Sequence, residues 1–172
     1  MTPSELLELH RSDKVSAHSY GPLYDKLFPP FQYYALNVLE IGILHGCSLR
    51  AWRDYFKNAT IIGIDNHPSR LITDIRIESR HVDTTDRDRF MEVCGELPQF
   101  EIIIDDGSHV FNEQLFALAV LWPKLRPGGI YIVEDIPDIK YLELFACFPN
   151  ATLHDLREVK GQQDDLVAVM RK

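Results

Sequence analysis

The sequence predicts an α/β protein built on a doubly wound sheet of seven strands, mostly parallel with an antiparallel hairpin at the C-terminal end. Two observations carry this prediction. From Ala35 onward, short continuous apolar runs alternate with segments of helix length, a pattern typical of parallel βαβ units with right-handed crossovers. Near the C-terminus, two strand-like runs follow one another with only a short polar stretch between them.

The parallel strands are predicted where apolar runs of strand length lack polar alternation, which matches strands buried on both faces. These runs are Leu36–Ile41, Thr60–Ile64, Phe100–Ile104 and Ile130–Val133. Helices are predicted between them over Ser48–Phe56, Thr85–Glu96 and Phe111–Leu125, where Trp52 and Trp122 are expected in the core. A weaker strand over Ile75–Val82 has alternating charged residues, as expected near a sheet edge.

The C-terminal hairpin is predicted from Ala151–Arg157 and Leu166–Arg171, which Glu158–Asp165 connects. This connection is too short for a crossover helix, so the two strands should pair antiparallel. A plain dinucleotide-binding domain would continue with parallel strands instead.

We expect a single domain, because 172 residues suit one core. Residues 1–34 are predicted to form a helical lid segment and residues 35–172 the ligand-binding domain. Thr2 to Glu5 form a capping-box pattern with a proline at the first helical position, and Pro29-Pro30 should end any helix.

The net charge and the cysteine content limit the classes of partner and the cell compartment that we expect. The net charge of −8, with no cluster of lysine and arginine, repels a phosphate backbone, so nucleic acid is not an expected partner. The three cysteines show no CxxC pair, and no apolar stretch reaches ~20 residues. We therefore expect a soluble cytoplasmic protein without membrane contact, with a homo-oligomer as one option.

Three strand ends carry residues suited to a ligand, since ligands of doubly wound sheets bind at the carboxyl ends of the strands. After the first strand, Gly42 and Gly46 leave room for a ligand, and Ser48 can cap the next helix; the alternative is a purely structural turn. After the second, Asp65 can accept the two hydroxyls of an adenosine ribose or cap a helix. Asp83, after the third, is either a ligand contact or a cap.

Carboxylates follow the two remaining parallel strands, as Asp105-Asp106 and Glu134-Asp135. Adjacent strands lie about 4.8 Å apart, so these acids should share a small volume and raise one another's pKa. A hard divalent cation such as Mg²⁺ would relieve that conflict. The alternative is one protonated acid with an arginine or lysine partner. His109 follows closely, either as a base near neutral pH or as a structural polar residue.

The stretches Asp13 to Tyr24, Leu39–Ser48, Asp105–His109 and Pro127–Asp135 together resemble the metal-dependent macrolide-sugar O-methyltransferases of the mycinamicin type and the cephalosporin-hydroxylase-like proteins. These are Rossmann-like enzymes that use S-adenosylmethionine (SAM). Two departures are visible. Leu44 stands where many relatives carry glycine, and the macrolide enzymes have a further N-terminal region, so a macrolide substrate is not implied.

The resemblance implies a role for each matching residue. His109 would be the general base, and Asp106, Glu134 and Asp135 would bind the metal, Mg²⁺ or another divalent cation. Contacts to SAM would come from the lid and the strand ends: Asp13, Lys14, His18, Tyr20, Glu40, Gly42, Gly46, Ser48, Asp65, Asp83 and Asp105. The lid residues have an alternative as a surface loop that packs on the sheet.

The predicted function is therefore metal-assisted, SAM-dependent methylation of a hydroxyl on a small diol-bearing acceptor, such as a sugar or a secondary metabolite. A metal lowers the pKa of a hydroxyl, and His109 would take the proton. Two alternatives stay open. A NAD-dependent oxidoreductase would share Asp65 and the glycine loop but would not explain the acidic cluster, and a silent SAM-binding protein would bind without turnover.

Overall fold

The computed structural model describes residues 1–148 and 150–172 and shows one seven-stranded sheet. The strands are β1 (Asn37–Ile41), β2 (Thr60–Asp65), β3 (Ile77–His81), β4 (Phe100–Asp105), β5 (Leu125–Val133), β6 (Thr152–Asp155) and β7 (Leu166–Arg171). Their order is β3-β2-β1-β4-β5-β7-β6. β1 to β5 pair in parallel, and β7 pairs antiparallel with both β5 and β6, which confirms the predicted fold class.

Helices cover both faces of the sheet. They are α1 (Pro3–Leu9), α2 (Asp13–Ser16), α3 (Gly21–Leu27), α4 (Cys47–Tyr55), α5 (Arg87–Glu96), α6 (Phe111–Leu121), α7 (Ile139–Leu144) and α8 (Arg157–Lys160). Helices α1, α3 and α4 contribute buried apolar side chains to the core on one face, and α5, α6 and α7 to the core on the other. The side chains of β1, β4 and β5 alternate between the two cores, which explains why these strands are continuously apolar.

Several element bounds differ from the prediction, each for a local reason. Helix α5 begins at Arg87 because the Asp86 carboxylate caps it, accepting from the Arg89 N–H. Helix α6 ends at Leu121, and Trp122 lies half-buried in a single 3₁₀ turn that contains Pro123. The hairpin connection holds the short helix α8, which begins at Arg157.

The N-terminal segment begins as predicted. Thr2 and Glu5 form the capping box at the start of α1, and α3 ends at Leu27, before the two prolines. Within the described ranges, no helix is long and apolar enough to cross a membrane. The strand register brings the tips of β1, β4 and β5 side by side, with Ile41 opposite Asp105 and Asp105 opposite Val133.

Candidate functional site

A cavity of about 350 Å³ lies at the carboxyl ends of β1, β2, β4 and β5 and is closed on one side by the N-terminal segment. Most of the predicted site residues line it: Asp13, Lys14, His18, Tyr20, Gly42, Ser48, Asp65, Asp106, His109, Glu134 and Asp135. The remaining ones, Glu40, Gly46, Asp83 and Asp105, lie outside its lining. The edge of the sheet chosen from the sequence is therefore the edge that carries the cavity.

The loop between β1 and α4 is shaped by Gly42 and held by Asp65. Gly42 has a φ of +92°, and a Cβ built on it would lie 2.0 Å from the Asp106 carbonyl oxygen. Asp65 Oδ2 accepts hydrogen bonds from the N–H groups of Ile43 at 2.9 Å and Leu44 at 3.3 Å. The loop thus lies directly against the segment that follows β4, and a carboxylate on β2 fixes its course.

Gly42→Ala should lower the free energy of unfolding by about 2–5 kcal/mol. The alanine would be strained in a left-handed conformation, and its Cβ would clash with the Asp106 carbonyl. Gly128→Ala is the matched control. Gly128 has a similar φ of +82° but no heavy atom within 4 Å of an added Cβ, so only the strain of about 1–2 kcal/mol applies. Urea denaturation measures both. Equal losses in the two variants would show that the Asp106 carbonyl is not in close contact with Gly42.

Leu44 occupies a left-handed conformation, with a φ of +48°, which strains a leucine but not a glycine. The residue is 45% exposed, so Leu44→Gly also gives up about half of the burial of a leucine. Relief of strain should offset this loss and the added unfolded-state entropy, and we expect a net change within about 0.5 kcal/mol of zero. Leu144→Gly, at an exposed leucine with a φ of −67°, has no strain to relieve and should lose about 1–2 kcal/mol. Equal losses in the two variants by thermal denaturation would contradict the strain at Leu44.

Lys14 lies at the centre of the acidic cluster. Its Nζ atom lies 2.6 Å from Asp106 Oδ2 and 3.2 Å from Glu40 Oε1, and it donates a short hydrogen bond to Glu134. The lysine side chain is 2% exposed. One buried ammonium thus faces three carboxylates, so the lysine pairing that the sequence left open as an alternative to a metal is present.

Burial and these charges set the pKa values of the cluster. Burial opposes the Lys14 charge, but Asp106, Glu134 and Glu40 outweigh it and hold the lysine pKa well above its usual value. Burial also opposes the Asp106 charge, yet Lys14 and a hydrogen bond from His109 lower the pKa of Asp106 to about 2. Burial raises the pKa of Glu40 and, strongly, that of Glu134. Burial thus opposes every charge of the cluster, and the Lys14 ammonium is the charge that offsets it for the three carboxylates.

Three aromatic side chains complete the hydrogen bonds of the cluster. The Tyr24 hydroxyl donates to Glu134, the Tyr20 hydroxyl donates to Asp135, and Trp52 Nε1 donates to Glu40 Oε2 at 2.7 Å. The sequence pointed to core packing for Trp52. Trp52 is fully buried, yet it also orients a carboxylate. The indole N–H of a buried tryptophan needs an acceptor. This requirement is the sequence signal that Trp52 has a polar role in addition to packing.

His109 and Asp135 both adopt left-handed backbone conformations, with φ values of +57° and +50°. His109 Nε2 lies 3.3 Å from Asp106 Oδ1 and 3.4 Å from Asp135 Oδ2. The side chains of Asp106, His109 and Asp135 each present a ligand atom within 4.8 Å of the others, a spacing compatible with one metal ion. Residues held in such conformations cluster at functional sites.

Glu134, and the predicted site residues Asp105 and Asp83 that lie outside the cavity lining, form hydrogen bonds with other parts of the protein. Glu134 is 1% exposed, and its two oxygens are occupied by Lys14 and Tyr24. Asp105 Oδ1 accepts from the Gly107 N–H, while burial raises the Asp105 pKa to about 7. Asp83 Oδ1 accepts from the N–H and the hydroxyl of Thr85 in the turn before α5; the helix cap is Asp86, so the predicted capping role of Asp83 is wrong.

The strand order, the antiparallel β7 and the glycine loop with acids at the strand tips define a methyltransferase of the Rossmann-like class. A family profile described as "Methyltransferase domain" matches residues 39–136. The chain therefore belongs to this methyltransferase family.

Curated relatives are sugar O-methyltransferases. The 8-demethyl-8-alpha-L-rhamnosyl tetracenomycin-C 2'-O-methyltransferase of Streptomyces olivaceus is 34% identical over 74% of this chain and 35% of its own length. Mycinamicin VI 2''-O-methyltransferase of Micromonospora griseorubida is 32% identical over 69% of this chain and 32% of its own length. The chain thus spans about a third of the length of these relatives.

Solved structures agree with the fold. The MycE methyltransferase from the mycinamycin biosynthetic pathway, in complex with Mg, SAH and mycinamycin VI, is similar over 100% of this chain and 53% of its own, with a TM-score of 0.82 and 26% identity. An O-methyltransferase from Bacillus cereus in complex with SAH covers 99% of this chain and 90% of its own, with a TM-score of 0.61 and 18% identity; at that identity the likeness shows the fold alone.

Proposed function

We propose that this chain is a SAM-dependent, divalent-metal-assisted O-methyltransferase that acts on a hydroxyl of a small diol-bearing acceptor. One observation carries the proposal: Asp106, His109 and Asp135 converge in a cavity that the glycine loop after β1 also lines. The similarity to sugar O-methyltransferases and to MycE bound to Mg and SAH supports the cofactor pair.

The residues of this edge fit a divalent cation. Asp106 and Asp135 offer carboxylate oxygens, the ligands that Mg²⁺ prefers, within reach of one ion. Glu134 is the third proposed ligand, and to bind it would have to release Lys14 or Tyr24. When bound, the cation supplies positive charge that lowers the pKa of a neighbouring hydroxyl.

The cavity fits a nucleoside-containing cofactor. Asp65 lines it at the tip of β2, and its carboxylate keeps acceptor capacity beyond the backbone N–H groups that it already binds. Gly42 and Ser48 line the loop side, and Asp13, His18 and Tyr20 line the side of the N-terminal segment. We propose that residues 1–34 act as the lid of a SAM site in residues 35–172. SAM supplies a methyl group already activated on a sulfonium.

His109 is the proposed general base. Burial lowers its pKa, but the hydrogen bond to Asp106 and the charge of Asp135 outweigh this and raise it. His109 Nε2 lies near the Asp106 and Asp135 carboxylates, which would stabilise the imidazolium that forms when His109 takes a proton. The side chain is 40% exposed, so an acceptor hydroxyl in the cavity can reach it. We further propose a cytoplasmic protein, with a homo-oligomer as one option and no nucleic-acid partner.

Calorimetric titration tests the proposal. The metal-stripped protein is titrated with SAM and with an α-L-rhamnoside, each with and without Mg²⁺, and methyl transfer from labelled SAM is then measured. We expect SAM binding, rhamnoside binding that requires Mg²⁺, and methylated sugar. SAM binding without any turnover would favour a silent SAM-binding protein. If SAM does not bind, the proposal fails, and nicotinamide cofactors become the next ligands to titrate.

An Asp106→Asn variant tests whether Asp106 is a ligand of the proposed metal ion. It should weaken Mg²⁺ binding at least tenfold, because it removes one charged ligand. Asp88→Asn, at an exposed acid of α5, changes the net charge equally and should leave Mg²⁺ affinity unchanged. Equal affinities in all three proteins would remove Asp106 from the ligand set.

A further inference from the structure

A second group of acids lies beside the cavity, where the N-terminal segment meets the loop before β7. His18, Asp164 and Asp165 form it together with Asp135, and each presents a ligand atom within 4.8 Å of the others. His18 Nδ1 lies 2.7 Å from Asp165 Oδ1 and 3.3 Å from Asp135 Oδ1. We propose that these four residues bind a second divalent cation.

The burial of Asp165 is the first argument. Its side chain is 0% exposed, and its Oδ2 atom has no hydrogen-bond partner among the residues that the structure describes. A buried carboxylate with an unmatched oxygen is costly unless it is paired or coordinates a metal. The imidazole of His18 satisfies only Oδ1, so one buried oxygen still lacks a partner within the group.

Charge balance is the second argument. The group brings three carboxylates together, and His18 is the one member of the group that can carry a positive charge. No lysine or arginine in residues 1–148 or 150–172 forms an ion pair with Asp135, Asp164 or Asp165. Lys160 donates instead to the main-chain carbonyls of Val15 and Ser16. This contrasts with the acids around Lys14, which have a buried ammonium.

The donor set indicates the kind of ion. Three carboxylate oxygens and one imidazole nitrogen suit a first-row dication such as Mn²⁺ better than Mg²⁺ or Ca²⁺, which favour oxygen alone. Asp135 stands between the two groups, with Oδ1 towards His18 and Oδ2 towards His109. Asp135 would thus be shared by the two ions, and its Oδ1 would have to release the Tyr20 hydroxyl to bind the second one.

The second ion would join distant parts of the chain. His18 precedes α3, whereas Asp164 and Asp165 precede β7, so the ion would fasten the N-terminal segment over the cavity. The site shares Asp135 with the metal ligands of the proposed function and His18 with its proposed lid, but the binding of this ion does not rest on methyl transfer.

The proposal is tested by titrating the metal-stripped full chain with Mn²⁺. The electron paramagnetic resonance signal measures the Mn²⁺ that stays free in solution. We expect two bound ions in the wild type, one in Asp165→Asn and one in Asp106→Asn. Glu158→Gln, at an exposed acid of α8, is the matched control and should keep two. Because Asp165 is buried, the half-exposed Asp164→Asn serves as a milder variant and should weaken one ion at least tenfold.

Pulsed electron paramagnetic resonance tests whether His18 is a ligand of the bound Mn²⁺. In a His109→Gln variant, the ¹⁴N coupling to bound Mn²⁺ should persist, and it should vanish when His18→Gln is added. Two ions retained in both Asp164→Asn and Asp165→Asn would overturn the proposal, as would a single wild-type ion that Asp106→Asn alone removes. No SAM or acceptor is present, so failure of methyl transfer would not alter these results.

Discussion

Lys14→Met should lower the free energy of unfolding by about 3–5 kcal/mol, the usual loss when one partner of a buried ion pair is removed. The variant keeps most of the volume of the side chain but leaves Glu40, Asp106 and Glu134 without their shared ammonium. Urea denaturation followed by circular dichroism, at low ionic strength and without divalent cations, measures the loss.

Lys26→Met is the control for this experiment, because Lys26 is exposed on α3 and its replacement should change stability by less than about 0.5 kcal/mol. Saturating Mg²⁺ should restore part of the lost stability in Lys14→Met, since a cation that binds only the folded cluster stabilises it. A loss below about 1 kcal/mol would show that the Lys14 ammonium does not hold the three acids together.

His109→Ala should lower kcat for methyl transfer to the rhamnoside by about 10²–10⁴-fold, the range that a general base contributes. The Kd for SAM should stay within about twofold, because the base acts on the acceptor. Steady-state kinetics with labelled SAM and calorimetry give the two values.

His109→Asn separates chemistry from backbone effects. His109 has a φ of +57°, and asparagine accepts a left-handed conformation with less strain than alanine. Both variants lack a base and should be equally inactive, although the asparagine variant should be the more stable. An active His109→Asn would exclude the base role, and a loss of SAM binding in both would indicate a structural histidine.

Most of the sheet could be predicted from local pattern. β1, β2 and β4 are continuous apolar runs of strand length that alternate with helix-length segments, and the brief connection between the last two strands leaves only antiparallel pairing. The ends of elements depend on single contacts, such as the Asp86 cap on α5, which the apolar pattern does not contain. Pattern alone also does not show that β7 inserts between β5 and β6.

The site could be predicted in part. Parallel strands end at one edge, so the acids after β4 and β5 had to be neighbours, and the structure brings Asp106 and Glu134 onto the same lysine. That lysine could not be placed, because its partners are 92 and 120 residues away along the chain. The group around Asp165 was missed for the same reason, since its histidine is 147 residues away.

These separations have a consequence for the order in which the protein folds. The βαβ units close short loops, whereas Lys14, Tyr20 and His18 meet partners 92 to 147 residues away. Contacts of high sequence separation carry a larger loop-closure cost and form late. The acidic strand tips therefore remain solvated and mutually repelling until the N-terminal segment docks. We expect docking of this segment, which brings the Lys14 ammonium to the acids, to be a late step of folding.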